Sequence, residues 1–165
     1  MRMLVAVLCL LIAAPTADAK RLSITKADFI LVEKANRTLT LYKARKPIKT
    51  YRIALGGNPE GHKEQEGDSR TPEGRYIIDA KNPWSSFHLS LRISYPDRND
   101  RATARKKGVS PGGLIMIHGT PEGLAALQNV GVFRDWTAGC IAVTNAEIEE
   151  IYKMVDKGTP ILIKP

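Results

Sequence analysis

Among the side chains able to act as nucleophile, acid or base, one thiol stands apart. Cys140 lies in the run Asp135-Trp136-Thr137-Ala138-Gly139-Cys140-Ile141, and Cys9 is the only other cysteine of the 165 residues. Cys9 falls in an N-terminal stretch laid out as an export signal. Arg2 supplies a positive n-region, residues 4–14 an apolar h-region, and Ala17-Asp18-Ala19 a small-x-small cleavage site before Lys20. The apolar run, about eleven residues, is short of the ~20 that a spanning helix needs. Residues 1–19 are thus expected to be a signal peptide. Residues 20–165 are expected to form one exported domain, periplasmic or secreted to the cell wall, with no stable membrane insertion after cleavage. Its one cysteine would have no disulfide partner in an oxidising compartment. Such a thiol is either an inert buried side chain or a nucleophile.

A nucleophilic cysteine needs a base or cation to form thiolate, a group that orients the base, and donors for the oxyanion of an attacked carbonyl. The chain has three histidines, His62, His88 and His118. His118 follows the apolar run Leu114-Ile115-Met116-Ile117, where a strand would deliver it to a sheet edge, and the Gly119 carbonyl is placed to fix its tautomer. Ala138 and Gly139 precede the thiol in an expected tight turn, where the N–H groups of Ala138, Gly139 and Cys140 can face one point. The alternative is a buried Cys140 beside the strand 141–143, with His118 satisfied at a strand end. Three dispersed histidines without paired acidic ligands do not make metal-ligand spacing, so neither metal nor other cofactor is expected.

These residues have to be positioned by a mostly β chain. Residues 28–34 and 37–43 alternate around Ala35-Asn36 as a hairpin, and 49–55 continue the meander. Residues 57–73 and 95–113 read as long loops, each a possible lid. Strands are expected at 74–79, 87–93, 114–117 and 160–163. Thr120-Pro121-Glu122 opens a helix towards Gln128. Thr144-Asn145-Ala146-Glu147 is a capping box before Ile148, Ile151, Tyr152 and Val155 at helical spacing, with Gly158 as the stop. The fold class is therefore mainly β, a mixed sandwich or barrel-like sheet with one or two short helices towards the C-terminal half. The net charge of +8 favours an anionic partner, and export leaves wall polymers or outer-leaflet lipids rather than nucleic acid. The densest basic stretch, 101–107, reads equally as a solvated loop or a binding patch.

The segment from His118 to Cys140 resembles the catalytic signature of the L,D-transpeptidases of the YkuD fold, a His followed at a distance by Ser/Thr-His-Gly-Cys. Thr137, Gly139 and Cys140 match it. Gly61-His62-Lys63, Gly67-Asp68 and Arg70-Thr71-Pro72-Glu73-Gly74-Arg75-Tyr76 resemble the family's loop before its central strands. Phe87-His88-Leu89-Ser90 and Ile93-Ser94-Tyr95-Pro96 look like its YafK-type branch. The likeness runs from about residue 28 to 163. Two positions depart from the pattern: Ala138 stands where a histidine is usual, and Ala142 where Asn or Arg is usual.

The resemblance implies a cysteine acyltransferase acting on peptidoglycan stem peptides. Cys140 is the nucleophile, His118 the base and Gly119 the carbonyl that orients it. The N–H groups of Cys140, Gly139 and Ala138 serve the oxyanion. Cys140 would attack the carbonyl at the diaminopimelate L-centre and expel the terminal D-residue. An amine of a second stem, a wall-linked lipoprotein or water would then take the thioester. Arg70, Thr71, His88, Tyr95, Trp136 and Thr137 are the candidate substrate contacts. Asp135 either accepts from the turn's backbone or meets a substrate amine. A monomer is expected, and carbapenem acylation of Cys140. The rivals are an L,D-endopeptidase or carboxypeptidase that trims stems or detaches lipoprotein, and a non-catalytic wall-binding module.

Overall fold

The computed structural model describes residues 24–121 and 134–165. The expected signal peptide lies outside them, as does the helix expected from Thr120, from residue 122 onward. The first hairpin forms where the alternation placed it, as β1 (Phe29–Glu33) and β2 (Thr38–Lys43), and β3 (Lys46–Arg52) pairs antiparallel to β2. Ile30, Val32, Leu39 and Leu41 point inward and are fully buried. The remaining strands are β4 (Gly74–Ser85), β5 (His88–Ile93), β6 (Met116–His118), β7 (Ile141–Ala142) and β8 (Pro160–Lys164). Together they make an eight-stranded sheet in the order β3-β2-β1-β8-β4-β5-β6-β7. Pairing is antiparallel except at β1–β8 and β6–β7.

The sheet curls into a half-barrel. The register of β4 against β5 shifts between Ile78 and Ala80 and again between Asn82 and Ser85, and such bulges bend and twist a strand. At the open side, the segment after β3 reaches β7. Ala54 and Ala142 exchange both backbone hydrogen bonds at 2.9 Å, and Gly56 bridges Thr137. The two ends of the sheet thereby meet at the Thr137–Cys140 turn.

Helix α2 (Asn145–Met154) starts at the expected capping box, with Thr144 and Glu147 satisfying each other's backbone N–H groups. Its Ile148 and Ile151 are fully buried against the sheet, each contributing roughly 1.5–3 kcal/mol by transfer from water. The stretch 95–113 is not the continuous loop expected. It contains α1 (Arg98–Lys107), capped by Asp97 and Asp100 and ended by Gly108. Only Ala104 of α1 is buried, so no apolar periodicity marked it. Asp100 ties the helix down by accepting from Tyr76 Oη at 3.1 Å and from His62 Nε2 at 3.1 Å. The 57–73 segment is irregular as expected but not simply exposed: Lys63 and Thr71 within it are buried.

Candidate active site

The candidate site is assembled at the β6–β7 edge. These strands run parallel with Ile117 opposite Ile141 and His118 opposite Ala142. The last side chain of β6 and the residue entering β7 therefore open onto the same cleft, about 550 Å³ in volume and lined by both His118 and Cys140. Phe87, Met116, Trp136 and Ala138 also line it, with Leu114 and Trp84 at the rim. None of its described lining residues is Asp, Glu, Lys or Arg.

His118 is buried, its ring stacked at a tilt on Phe87 with centroids 4.4 Å apart and meeting the Trp136 ring at 5.8 Å. Nδ1 lies 2.6 Å from the Gly119 carbonyl. A carbonyl only accepts, so Nδ1 carries the hydrogen and Nε2 is the basic nitrogen. Glycine is required at 119 for space: a Cβ there would stand 2.4 Å from Asn145 Oδ1, which accepts from the Thr120 N–H at 2.7 Å. Burial holds the His118 pKa below the ordinary 6.5, the Gly119 hydrogen bond only partly offsetting it.

Cys140 Sγ lies 3.5 Å from the Leu114 carbonyl, to which the thiol donates. Burial raises its pKa, against the opposing pull of the Met116 N–H and the Lys63 ammonium. Desolvation in an uncharged cleft works against both ions and so favours the pair of neutral thiol and neutral imidazole. This arrangement suits general-base catalysis, in which the proton moves as the sulfur attacks.

The turn before Cys140 is held from three directions. Thr137 Oγ1 donates to the Cys140 carbonyl at 2.8 Å and accepts from the Gly139 N–H at 3.1 Å. Gly139 adopts φ +129°, and a Cβ on it would come within 2.5 Å of the Arg70 carbonyl. Asp135 pairs with Arg37 and accepts from the Leu55 N–H at 2.9 Å, while the Leu55 carbonyl accepts from Trp136 and Thr137. Asp135 therefore takes neither expected role: it accepts from Arg37 and from the segment after β3 rather than from the turn's backbone, and it does not line the cleft. The Gly139 N–H is spent on Thr137, which leaves those of Cys140 and Ala138 as oxyanion candidates.

Of the expected substrate contacts, Trp136 and Thr137 line the cleft; Arg70, Thr71, His88 and Tyr95 do not. Thr71 is fully buried, its hydroxyl accepting from the Gly56 N–H at 3.1 Å. Tyr95 is buried, and Oη donates to the Pro111 carbonyl at 2.9 Å. Arg70 backs the Gly139 turn through its carbonyl, with its guanidinium beside Gly61. His88, with φ +71°, faces Glu149 on α2 at 2.9 Å. Each was expected at the cleft from the family resemblance, but strand alternation and loop packing turn these four elsewhere. Phe87, Leu114, Met116 and Trp84 were missed as cleft residues; their apolar types give no chemical signal.

Residues 27–163 match the family model of the L,D-transpeptidase catalytic domain, YkuD. The chain belongs to that family. It is 29% identical over 133 residues to the YafK protein of Escherichia coli strain K12, itself assigned only provisionally as an L,D-transpeptidase. That match covers 77% of this chain and 46% of YafK. The structure of Pgp2, a helical cell shape determining protein of Campylobacter jejuni, superposes with a TM-score of 0.64 at 27% identity, covering 86% of this chain and 49% of Pgp2. An L,D-transpeptidase of Mycobacterium smegmatis superposes with a TM-score of 0.57 at 16% identity, covering 84% of this chain and 59% of its own, and shows the shared fold. The chain spans about half the length of YafK and Pgp2. The YkuD domain's mainly β architecture is the fold class the sequence implied.

Proposed function

We propose that this YkuD domain is a cysteine acyltransferase that acts on peptidoglycan stem peptides outside the cytoplasm through a Cys140 thioester. The observation that carries the reading is the shared cleft of Cys140 and His118, with the imidazole tautomer set by the Gly119 carbonyl. Nε2 of His118 accepts the thiol proton as Sγ attacks the diaminopimelate carbonyl. The tetrahedral oxyanion meets the N–H groups of Cys140 and Ala138. Collapse breaks the amide bond, and the imidazolium returns its proton to the departing D-amino acid. The same His118 then deprotonates the incoming amine or water, and Cys140 leaves as the regenerated thiol.

Transfer to an amine is taken over hydrolysis because the family model matched is that of the transpeptidase catalytic domain. The acceptor is an amine of a second stem or of a wall-linked lipoprotein. The test is incubation of the protein with tetrapeptide muropeptides, followed by mass spectrometry of products and of the intact protein. Crosslinked dimers, together with an acyl adduct on Cys140 that Cys140→Ala abolishes, are the expected result. Released D-amino acid without dimers would assign hydrolysis; no product and no adduct, even with lipoprotein-bearing sacculi, would leave a binding module.

A further inference from the structure

The β4–β5 hairpin separates two concavities. One is the Cys140 cleft. The other, on the hairpin's outer side, is a groove of about 700 Å³ between the hairpin tip and α2. Trp84, Ser85 and Ser86 line both, so the hairpin tip is the wall the two share. Trp84 is 90% exposed, the most exposed large apolar side chain among the described residues. It is nevertheless displayed on an ordered turn: its N–H donates to Asn82 Oδ1 at 2.9 Å, and the Phe87 N–H donates to Ser85 Oγ at 3.1 Å. At the far wall the groove has a second aromatic residue, Tyr152, whose ring lies under the Lys81 ammonium at 4.2 Å.

The chemistry of this groove is specific in kind. Its charged and titratable side chains stand on the wall facing the tip: Glu149, paired with the His88 imidazole at 2.9 Å, and Lys153. The hairpin wall offers hydroxyls rather than charges. The open aromatic surface of Trp84, flanked by the hydroxyl groups of Ser85 and Ser86, matches a pyranose, whose C–H face is weakly positive against a π face and whose rim is hydroxyl and amide. An anionic lipid surface would require a cluster of cations, where this groove sets Lys153 beside the Glu149 carboxylate, and a protein partner would require a wide apolar area that Ser85, Ser86 and the Glu149–His88 pair interrupt.

We propose that the outer groove is a saccharide subsite, in which Trp84 stacks on a ring of the glycan strand while that strand's peptide stem enters the Cys140 cleft across the hairpin. The identity of the glycan rests on the stem-peptide reading above, whereas saccharide binding itself does not require turnover. The substrate class is accordingly the glycan-linked stem rather than the free peptide.

The probe is a hexamer of β-1,4-linked N-acetylglucosamine, which carries no peptide and no charge, titrated into the Cys140→Ala protein by calorimetry and by backbone NMR. Saturable binding is expected, with shifts clustered at residues 83–88 and 149–153. Trp84→Ala should weaken it by roughly tenfold or more and Trp84→Phe by less. Absence of saturable binding, shifts centred elsewhere, or equal affinity in Trp84→Ala would overturn the proposal. The NMR map on the chain with Trp84 intact keeps the outcome decisive if Trp84→Ala fails to fold. Formation of the Cys140 acyl adduct with tetrapeptide muropeptides, which carry both sugar and stem, tests the acyltransferase reading separately.

Discussion

Arg37 and Asp135 stand 98 positions apart and meet in a two-point contact: Arg37 Nη2 lies 2.6 Å and Nε 3.0 Å from Asp135 Oδ2. Asp135 Oδ1 also accepts from the Leu55 N–H. The first hairpin, the segment after β3 and the turn entering Cys140 are thereby locked at one carboxylate. Neither residue lines the cleft, so their contribution is to positioning.

Asp135→Asn is expected to lower both stability and acyl transfer. Removing one partner of a partly buried, hydrogen-bonded pair costs about 1–3 kcal/mol. A cycle of Arg37→Met, Asp135→Asn and the double substitution, read by denaturant unfolding, should give a coupling of about 1–2 kcal/mol. Additive effects would contradict the lock.

The neutral resting pair sets the pH dependence of the chemistry. His118 accepts a proton only when unprotonated, and its pKa is lowered, so the acid limb of kcat/KM should fall below 6.5. The thiol pKa is raised above 9.0, so alkylation of Cys140 by iodoacetamide, followed by peptide mass mapping, should stay slow at neutral pH. Fast labelling at pH 6 would indicate a preformed thiolate and contradict this arrangement.

The same shifts fix a stability window. His118 has a folded pKa below its unfolded 6.5, so the unfolded chain binds more protons and stability declines as pH falls below that value. Cys140 has a folded pKa above its unfolded 9.0, so stability declines as pH rises past 9. Asp68 adds a second acid loss. Burial works to raise its pKa, but the Lys63 ammonium and the N–H groups of Arg70, Gln65 and Glu64 hold it at about 2. Its contribution is present above 3.8 and lost between 3.8 and 2. Thermal unfolding from pH 2 to 10 should show its highest midpoint between 6.5 and 9, and His118→Gln should flatten the slope just below 6.5.

Gly139→Ala should disable the turn. The added Cβ meets the Arg70 carbonyl at 2.5 Å in a backbone conformation that L side chains avoid, a cost of about 1–3 kcal/mol or more. Loss of the acyl adduct on Cys140, with Tm lowered by several degrees, is expected; unchanged adduct formation would mean the turn tolerates rearrangement.

Much of the fold was legible because its signals are local. Alternation marked β1 and β2, and the Thr144–Glu147 box marked α2. Helix α1 escaped because its stabilisation comes from caps and from Asp100 binding Tyr76 and His62 rather than from an apolar face. Its Asp97–Asp100 pair and Gly108 were readable as cap residues. Of the site, the motif identified the candidate nucleophile Cys140 and candidate base His118, which line one cleft. The cleft walls at Phe87, Leu114 and Met116 were silent, since an apolar side chain looks the same in a core as in a cleft.

Residue type and spacing by themselves determined the candidate nucleophile, the candidate base and the family pattern that joins them. A thiol, an imidazole and a glycine-containing turn are chemical identities, and they survive any folding. Which nitrogen of His118 is basic, whether the thiol rests ionised, and which motif residues face the cleft were decided only by tertiary structure. Those properties depend on desolvation and on contacts such as Arg37 with Asp135 and Arg70 with Gly139, between groups that meet only when the sheet closes on itself.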